Sequence, residues 1–341
     1  MKVHLAPASG SEKNLLRFGE MQAMHERSSG KHSLVADPAL AEMILLVGDL
    51  TSLKEAKRNV FLRDYREKTM VYSEIDAVVP YGPGVYCSGA KANLLNLRRT
   101  RSDVYVSRYV SSENSYIRHR HGEPKNLLFS FMGRRGCRVR ARLIDEPYNR
   151  SDVFVRDTTA YRHWGDSEVD RERAQRDYAD ILARSHFALC PRGAGFGSIR
   201  LFEVMEMGVA PVLLADRYAL PVGPDWDSFL LRIAEKDYAR LPEVLERHVA
   251  ESAERGQRAR SAWEEFFAPE KVFDRLIEQL TEIRREMWLP ETVYQRFWPW
   301  LQIRAELRPW VSSQARRGQL QLRRMLGYKT PPSGWVNSDP R

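Results

Sequence analysis

Cysteine is the first shortage: the chain of 341 residues holds three, Cys87, Cys137 and Cys190. Their wide spacing leaves no disulfide framework and no zinc motif, and it fits a reducing compartment. Long apolar runs are missing as well. No stretch approaches the ~20 apolar residues that span a bilayer. The opening MKVHLAPASG lacks the apolar core of a signal peptide, so the expectation is a cytoplasmic protein. A nucleophile elbow and a GK[ST] phosphate loop are both missing, and hydrolase and NTPase readings lose their motifs. His119 and His121 have no Cys or His cluster to complete a zinc site. No compact basic run is interleaved with aromatics, so no nucleic-acid partner is expected. Internal repeats and low-complexity tracts are also missing.

What is present points elsewhere. A hydrophobic content of 43% supports full cores, and the length suffices for two domains. The net charge of +9 reads as solvated surface plus anion-binding sites, with peripheral contact to the inner face of a membrane as an addition.

Strand and helix patterns alternate, which argues for parallel sheets. The first half shows a weak strand at 1–5 and a polar helical stretch at 10–32. Asp37 and Pro38 then start a helix as N-cap and first helical residue. An apolar strand at 43–47, an amphipathic helix at 54–68 and a strand at 69–75 follow. A helical pattern covers 90–97, and 103–110 alternates like a half-buried strand. Residues 111–125 are polar and read as a linker. The second half runs as strand 126–132, turn 133–136, helix 138–144, strand 152–155 and charged helix 170–184. After a central unit come a strand at 229–233 and helices near 241–253, 259–267 and 270–287. The domain reading is 1–122, 123–287, and a Trp/Arg-rich helical tail, 288–341. That tail packs back on the first domain or lies on a membrane surface.

The central unit, 185–221, carries the legible chemistry. An apolar strand leads to Pro191, Gly193, Gly195 and Gly197. A helical pattern starts at Ile199, with Ser198 at the N-cap and Gly208 as its stop, and a buried strand at 210–215 closes the unit. Glycines let backbone N–H groups come close to a ligand, and a helix N-terminus carries about half a positive charge. Together they favour a phosphate or diphosphate. Arg192 and Arg200 add guanidinium forks suited to phosphate. Glu203 lies on the Arg200 face of the helix, where a carboxylate accepts from ribose hydroxyls. The glycine spacing is not the dinucleotide fingerprint, and a tight turn with surface arginines would explain the glycines alone.

Read together, Cys190-Pro191-Arg192-Gly193, Ser198, Arg200, Glu203, Gly208, Pro211-Val212, Asp216 and Leu220-Pro221 resemble the signature of exostosin-family glycosyltransferases. NLLFSFMGRR at 126–135, the Trp226-Asp227 segment and the aromatic Trp263 to Phe267 helix resemble its flanks. The resemblance runs from about residue 126 to 283 and is weak before that. It implies an α/β, GT-B-like fold: two Rossmann-like domains facing a cleft, with a C-terminal helical tail. It also implies inverting transfer of a sugar from a UDP- or GDP-linked donor to a glycan or other hydroxyl acceptor, as in polysaccharide biosynthesis. The donor would be bound by Arg192, Gly193, Ser198, Arg200 and Glu203. Arg134 or Arg135, in a turn that faces the diphosphate in such folds, would add a cation for the leaving group.

Inversion requires a general base from the first domain. Asp49, Glu74 and Asp76 stand at strand ends, and His119 and His121 near the linker. Asp76, which precedes a Gly/Pro-rich loop, is preferred, and Glu203 is counted with it as catalytic. Asp225-Trp226-Asp227 has the spacing of a metal motif but sits in a structural segment, so neither metal nor further cofactor is expected. A non-catalytic nucleotide- or glycan-binding scaffold is the alternative from another class.

Overall fold

The computed structural model describes residues 1–76, 79–90, 98–120, 122–160, 168–301 and 303. The first half holds strands β1 (Lys2–Pro7), β2 (Ser33–Leu34), β3 (Met43–Val47), β4 (Thr69–Ser73), β5 (Gly84–Tyr86) and β6 (Thr100–Arg101). They form one parallel sheet in the order β2-β1-β3-β4-β5-β6. Its helices are α1 (Glu12–Arg27), α2 (Leu53–Arg58) and α3 (Val60–Asp64). The second half holds β7 (Leu127–Gly133), β8 (Val153–Asp157), β9 (Ser185–Pro191), β10 (Ala210–Leu214) and β11 (Leu231–Arg232). These are also parallel, in the order β11-β10-β9-β7-β8. Helices α4 (Arg138–Asp145), α5 (Glu168–Ala183), α6 (Ile199–Met207), α7 (Leu241–Glu246), α8 (Ser252–Phe266), α9 (Pro269–Glu286) and α10 (Glu291–Tyr294) complete the chain.

The central strands read as continuous apolar runs because both faces are covered. Every residue of β3, β7 and β10 is buried. One apolar cluster runs from Val3 and Leu45 through Tyr105 and Phe202 to Phe267 and Ile283. The two halves thus share a core instead of meeting across a thin polar seam.

Four local expectations change. Residues 103–110 are not a strand: their backbone bonds to side chains instead of a neighbouring strand. The Tyr72 hydroxyl donates to the Val104 carbonyl and accepts from Val106 N–H, and Ser107 N–H donates to Glu74. A 3-10 turn, Val106–Tyr109, follows. The helix expected at 54–68 breaks at Asn59, whose side chain accepts from Phe61 and Leu62 N–H and so starts α3 afresh. The strand expected at 229–233 shortens to β11, because Phe229 and Leu230 close a 3-10 turn onto Trp226. The helices near 241–253 and 259–267 divide instead at 246–252, giving α7 and α8. Most of the helix expected at 90–97 lies outside the described residues.

The chain returns to the first half at α9, earlier than the 288 boundary. Asp274 accepts from Ser29, and Glu282 and Glu286 pair with Arg101. Arg275 and Gln279 both reach Asp103. Beyond α9, Glu291 forms a buried pair with Arg99 at 2.5 Å, and Trp298 packs edge-on against Tyr81. The remainder of the expected Trp/Arg tail, from 304 on, lies outside the described residues.

The carboxyl ends of the two sheets meet. Asp76 and Ser88, after β4 and β5, approach the backbone at Gly195, after β9. Two parallel α/β sheets with facing carboxyl edges, and a late helix that crosses back, make the GT-B arrangement.

Candidate active site

In a doubly wound sheet, ligands bind at the carboxyl ends of the two strands where the order reverses. In the second sheet those strands are β7 and β9: β8 lies beyond one, and β10 beyond the other. Their ends are Met132-Gly133 and Pro191-Arg192. The glycine turn between β9 and α6 is closed by Gly193 N–H donating to the Gly197 carbonyl at 3.0 Å.

Arg200 lies across this switch point. Its Nη2 donates to the Met132 carbonyl at 2.5 Å and its Nε to the Tyr178 hydroxyl at 3.2 Å. That hydroxyl donates in turn to Glu203 Oε2 at 2.9 Å. The guanidinium stands over the Phe131 ring at 4.9 Å. Its remaining nitrogen, Nη1, is buried with no partner among the described residues. A side chain on Gly133 would collide with Phe131 and press on Arg200, so that glycine makes room for the guanidinium.

A second guanidinium arrives from α4. Arg140 Nη2 donates to the Pro191 carbonyl at 3.2 Å, while its Nε is buried without a partner. Burial first, and then the nearby charge of Arg200, push its pKa down to about 10. It therefore stays charged at neutral pH. Ser198 stands at the N-cap of α6 but makes no capping bond; its Oγ is buried and unpartnered, with the residue 5% exposed. Three buried polar atoms around the switch point, Arg200 Nη1, Arg140 Nε and Ser198 Oγ, have hydrogen-bonding capacity unused among the described residues, an expensive arrangement unless a ligand completes it.

Other expected donor contacts are otherwise engaged. Arg135 bridges Asp145 at 2.7 Å and Asp157 at 2.6 Å, so its charge is consumed by its own turn. Arg134 is exposed. Arg192 Nε is shared between both oxygens of Glu235 at 3.1 Å, which ties the glycine turn to the segment after β11. Gly193 N–H is spent on closing the turn. Gly195 and Gly197 serve a different closeness from the one read in the sequence. A Cβ on Gly195 would sit 2.5 Å from Ser88 Oγ and 2.7 Å from Asp76 Oδ1. One on Gly197 would strike the Tyr105 hydroxyl and lie 2.9 Å from the Cys87 carbonyl oxygen. These glycines admit the first half of the chain.

Among the carboxylates at the ends of β3 and β4, Asp49 is buried, accepting from Ser73 at 2.6 Å and pairing with Lys13 at 2.7 Å. Glu74 accepts from Ser107 N–H and pairs with Arg17 at 3.2 Å. Asp76 is exposed, and its oxygen accepts only weakly from Ser88 at 3.2 Å. His119 donates Nδ1–H to the Met207 carbonyl at 3.0 Å, closing the C-terminus of α6 beside Gly208. His121 lies outside the described residues. Trp226 is buried between the exposed Asp225 and Asp227, with its indole N–H on the Pro221 carbonyl at 2.8 Å. Among the described residues no group of three or more His, Cys, Asp or Glu is placed to hold a metal.

Arg140, Tyr178, Ser88 and Tyr105 were not singled out from the sequence. Arg138, Arg140 and Arg142 alternate along α4, and nothing in that pattern separates the inward one from its neighbours.

The candidate site is therefore an arginine-lined switch point of one parallel sheet, facing an exposed carboxylate at the carboxyl edge of the other. Residues 95–248 match the family model of the Exostosin GT47 domain. An Exostosin-1 homolog of Caenorhabditis elegans is 26% identical over 238 residues, 54% of this chain and 62% of the relative. A probable glucuronoxylan glucuronosyltransferase, IRX7, of Arabidopsis thaliana is 37% identical over 155 residues, 43% of this chain and 33% of the relative. The chain thus spans less than two thirds of these relatives. Among solved structures, an alpha1,3-fucosyltransferase aligns over 85% of this chain and 91% of its own, with a TM-score of 0.42 and 11% identity. HepE of Anabaena in complex with UDP-glucose aligns over 82% and 99%, with a TM-score of 0.38 and 11% identity.

Proposed function

We propose that the chain is an inverting glycosyltransferase that moves a sugar from a UDP- or GDP-linked donor to a glycan or other hydroxyl acceptor. The observation that carries this reading is the set of unused, buried donors at the β7/β9 switch point, Arg200 Nη1 and Ser198 Oγ foremost. A diphosphate supplies the acceptors they lack. Glu203, half-buried and linked to Arg200 through Tyr178, is assigned to donor hydroxyls. Arg192 and Gly193 shape the turn, and the exposed Arg134 supplies a further cation at the end of β7.

Asp76 is the proposed general base. The acceptor oxygen forms its bond to the anomeric carbon, the bond from that carbon to the diphosphate breaks, and the acceptor proton passes to Asp76. Charge building on the departing nucleoside diphosphate is met by Arg200, in a site where fixed dipoles replace water. With arginine supplying that charge, transfer is expected to persist in EDTA. The first experiment is a thermal-shift screen against UDP- and GDP-sugars, followed by a transfer assay with the preferred donor. Arg200→Ala and Glu203→Ala should each abolish transfer with the fold retained; full activity in either defeats the assignment. A chain that binds donors but neither transfers nor hydrolyses them would be the non-catalytic scaffold.

Peripheral membrane contact belongs to the same proposal. Trp288 is 71% and Trp300 49% exposed, and rings of this kind seat at a lipid interface. Sedimentation with anionic vesicles, with and without Trp288→Ala and Trp300→Ala, tests it. No helix among the described residues is long and apolar enough to cross a membrane; a cytoplasmic location remains part of the proposal.

A further inference from the structure

Arg140 poses a physical problem that the protein by itself does not solve. Half-buried, it brings a positive charge beside another, Arg200. The carboxylates that act on the pair, Asp76 on Arg140 and Glu203 on Arg200, form no ion pair with either guanidinium, Glu203 reaching Arg200 only through the Tyr178 hydroxyl. Arg200 has Tyr178, Met132 and the Phe131 ring; Arg140 has the Pro191 carbonyl. Elsewhere the chain pairs its buried arginines: Arg99 has Glu291, Arg108 has Glu206, and Arg192 has Glu235. Like charges held together at low dielectric destabilise the empty fold. Each also leaves an N–H buried without an acceptor, and Ser198 Oγ adds a third unused group, at the start of a nine-residue helix.

We propose that Arg140 and Arg200 form a two-guanidinium clamp for one diphosphate, completed by Ser198, and that their repulsion in the empty state makes this corner a ligand-dependent element of stability. The proposal rests on the donor reading above and deepens it in two ways: it adds Arg140, and it makes Arg140 costly to the free chain. An anion of two or more charges between the guanidiniums reverses the sign of their interaction energy. Binding then draws the ends of β7 and β9 together through Met132 and Pro191, the carbonyls that hold the two side chains.

The test uses the full chain, with inorganic pyrophosphate and UDP as probes in thermal unfolding. Wild type should gain several degrees with either probe. Arg140→Met, which keeps the length and removes the charge, should melt at or above the free wild-type temperature and lose the probe-induced gain. Arg140→Lys keeps charge without the fork and should retain a smaller gain. An unfolded or less stable Arg140→Met chain would show that the guanidinium serves the fold, and would overturn the proposal. So would an undiminished gain in that variant, or no gain in wild type. If pyrophosphate stabilises wild type through Arg140 but no nucleotide sugar is ever turned over, the clamp stands and the transferase reading falls.

Discussion

The carboxyl edges of the two sheets treat charge in opposite ways. On the first, Asp49 pairs with Lys13, while Arg17 pairs with Glu20 and Glu74, so nearly every buried charge has its opposite. On the second, Arg140 and Arg200 approach each other with nitrogens unpartnered. A paired network holds a wall in shape. An unpaired one holds a place for charge that the protein does not supply. Asp76 is the exception on the first edge, exposed and pointed at the glycine turn of the second.

The largest expected effect follows from removing charge on the second edge. Arg200→Met should lower kcat by about 10³-fold with little loss of melting temperature; unchanged turnover would erase the contrast between the edges. Next comes the exposed acid. Asp76→Asn should lower kcat by about 10²–10⁴-fold and leave the donor KM near wild type. If Asp49→Asn produced that effect and Asp76→Asn did not, the base would belong to the paired network after all.

A smaller effect probes the contact between the edges. Gly197→Ala places a methyl against the Tyr105 hydroxyl and the Cys87 carbonyl. It should cost about 1–3 kcal/mol, read as an earlier denaturant midpoint. An unchanged midpoint would mean that the halves separate freely there.

The smallest lies far from both edges, at His32. It is 6% exposed with neither ring nitrogen partnered, and burial, followed by the amino terminus, lowers its pKa from 6.5. The unfolded chain takes up this proton at a higher pH than the folded one. Stability is therefore lost as pH falls below about 6.5, and His32→Leu should flatten that slope in melts from pH 7.5 to 5.5. A slope unchanged by the substitution would locate the acid sensitivity elsewhere.

The fold was largely legible because parallel strands announce themselves as short apolar runs between helical periods. Met43–Val47, Leu127–Gly133, Ser185–Pro191 and Ala210–Leu214 all did so. Residues 103–110 misled because alternation reports burial of alternate side chains and not the partner of the backbone, which here is a tyrosine hydroxyl. The site was half legible. Ser198 stands at the N-cap of the helix that carries Arg200 and Glu203 in its first two turns, so their spacing along the chain sets their spacing in space. The ion pairs of Arg135 were not legible, because its carboxylates, Asp145 and Asp157, come from two other elements.

The order of amino acids by itself determined the two parallel sheets, the glycine turn and the helix that carries Arg200, since each depends on period, turn chemistry and capping among near neighbours. Only the tertiary structure decided which arginines keep their charge unspent. Pairing depends on distances between residues tens of positions apart: Arg192 finds Glu235, while Arg140 donates to a carbonyl and stands near another arginine, with no ion pair among the described residues. It also decided that Gly195 and Gly197 make room for the opposite half of the chain, because what a missing side chain avoids is set by whatever the fold brings against it.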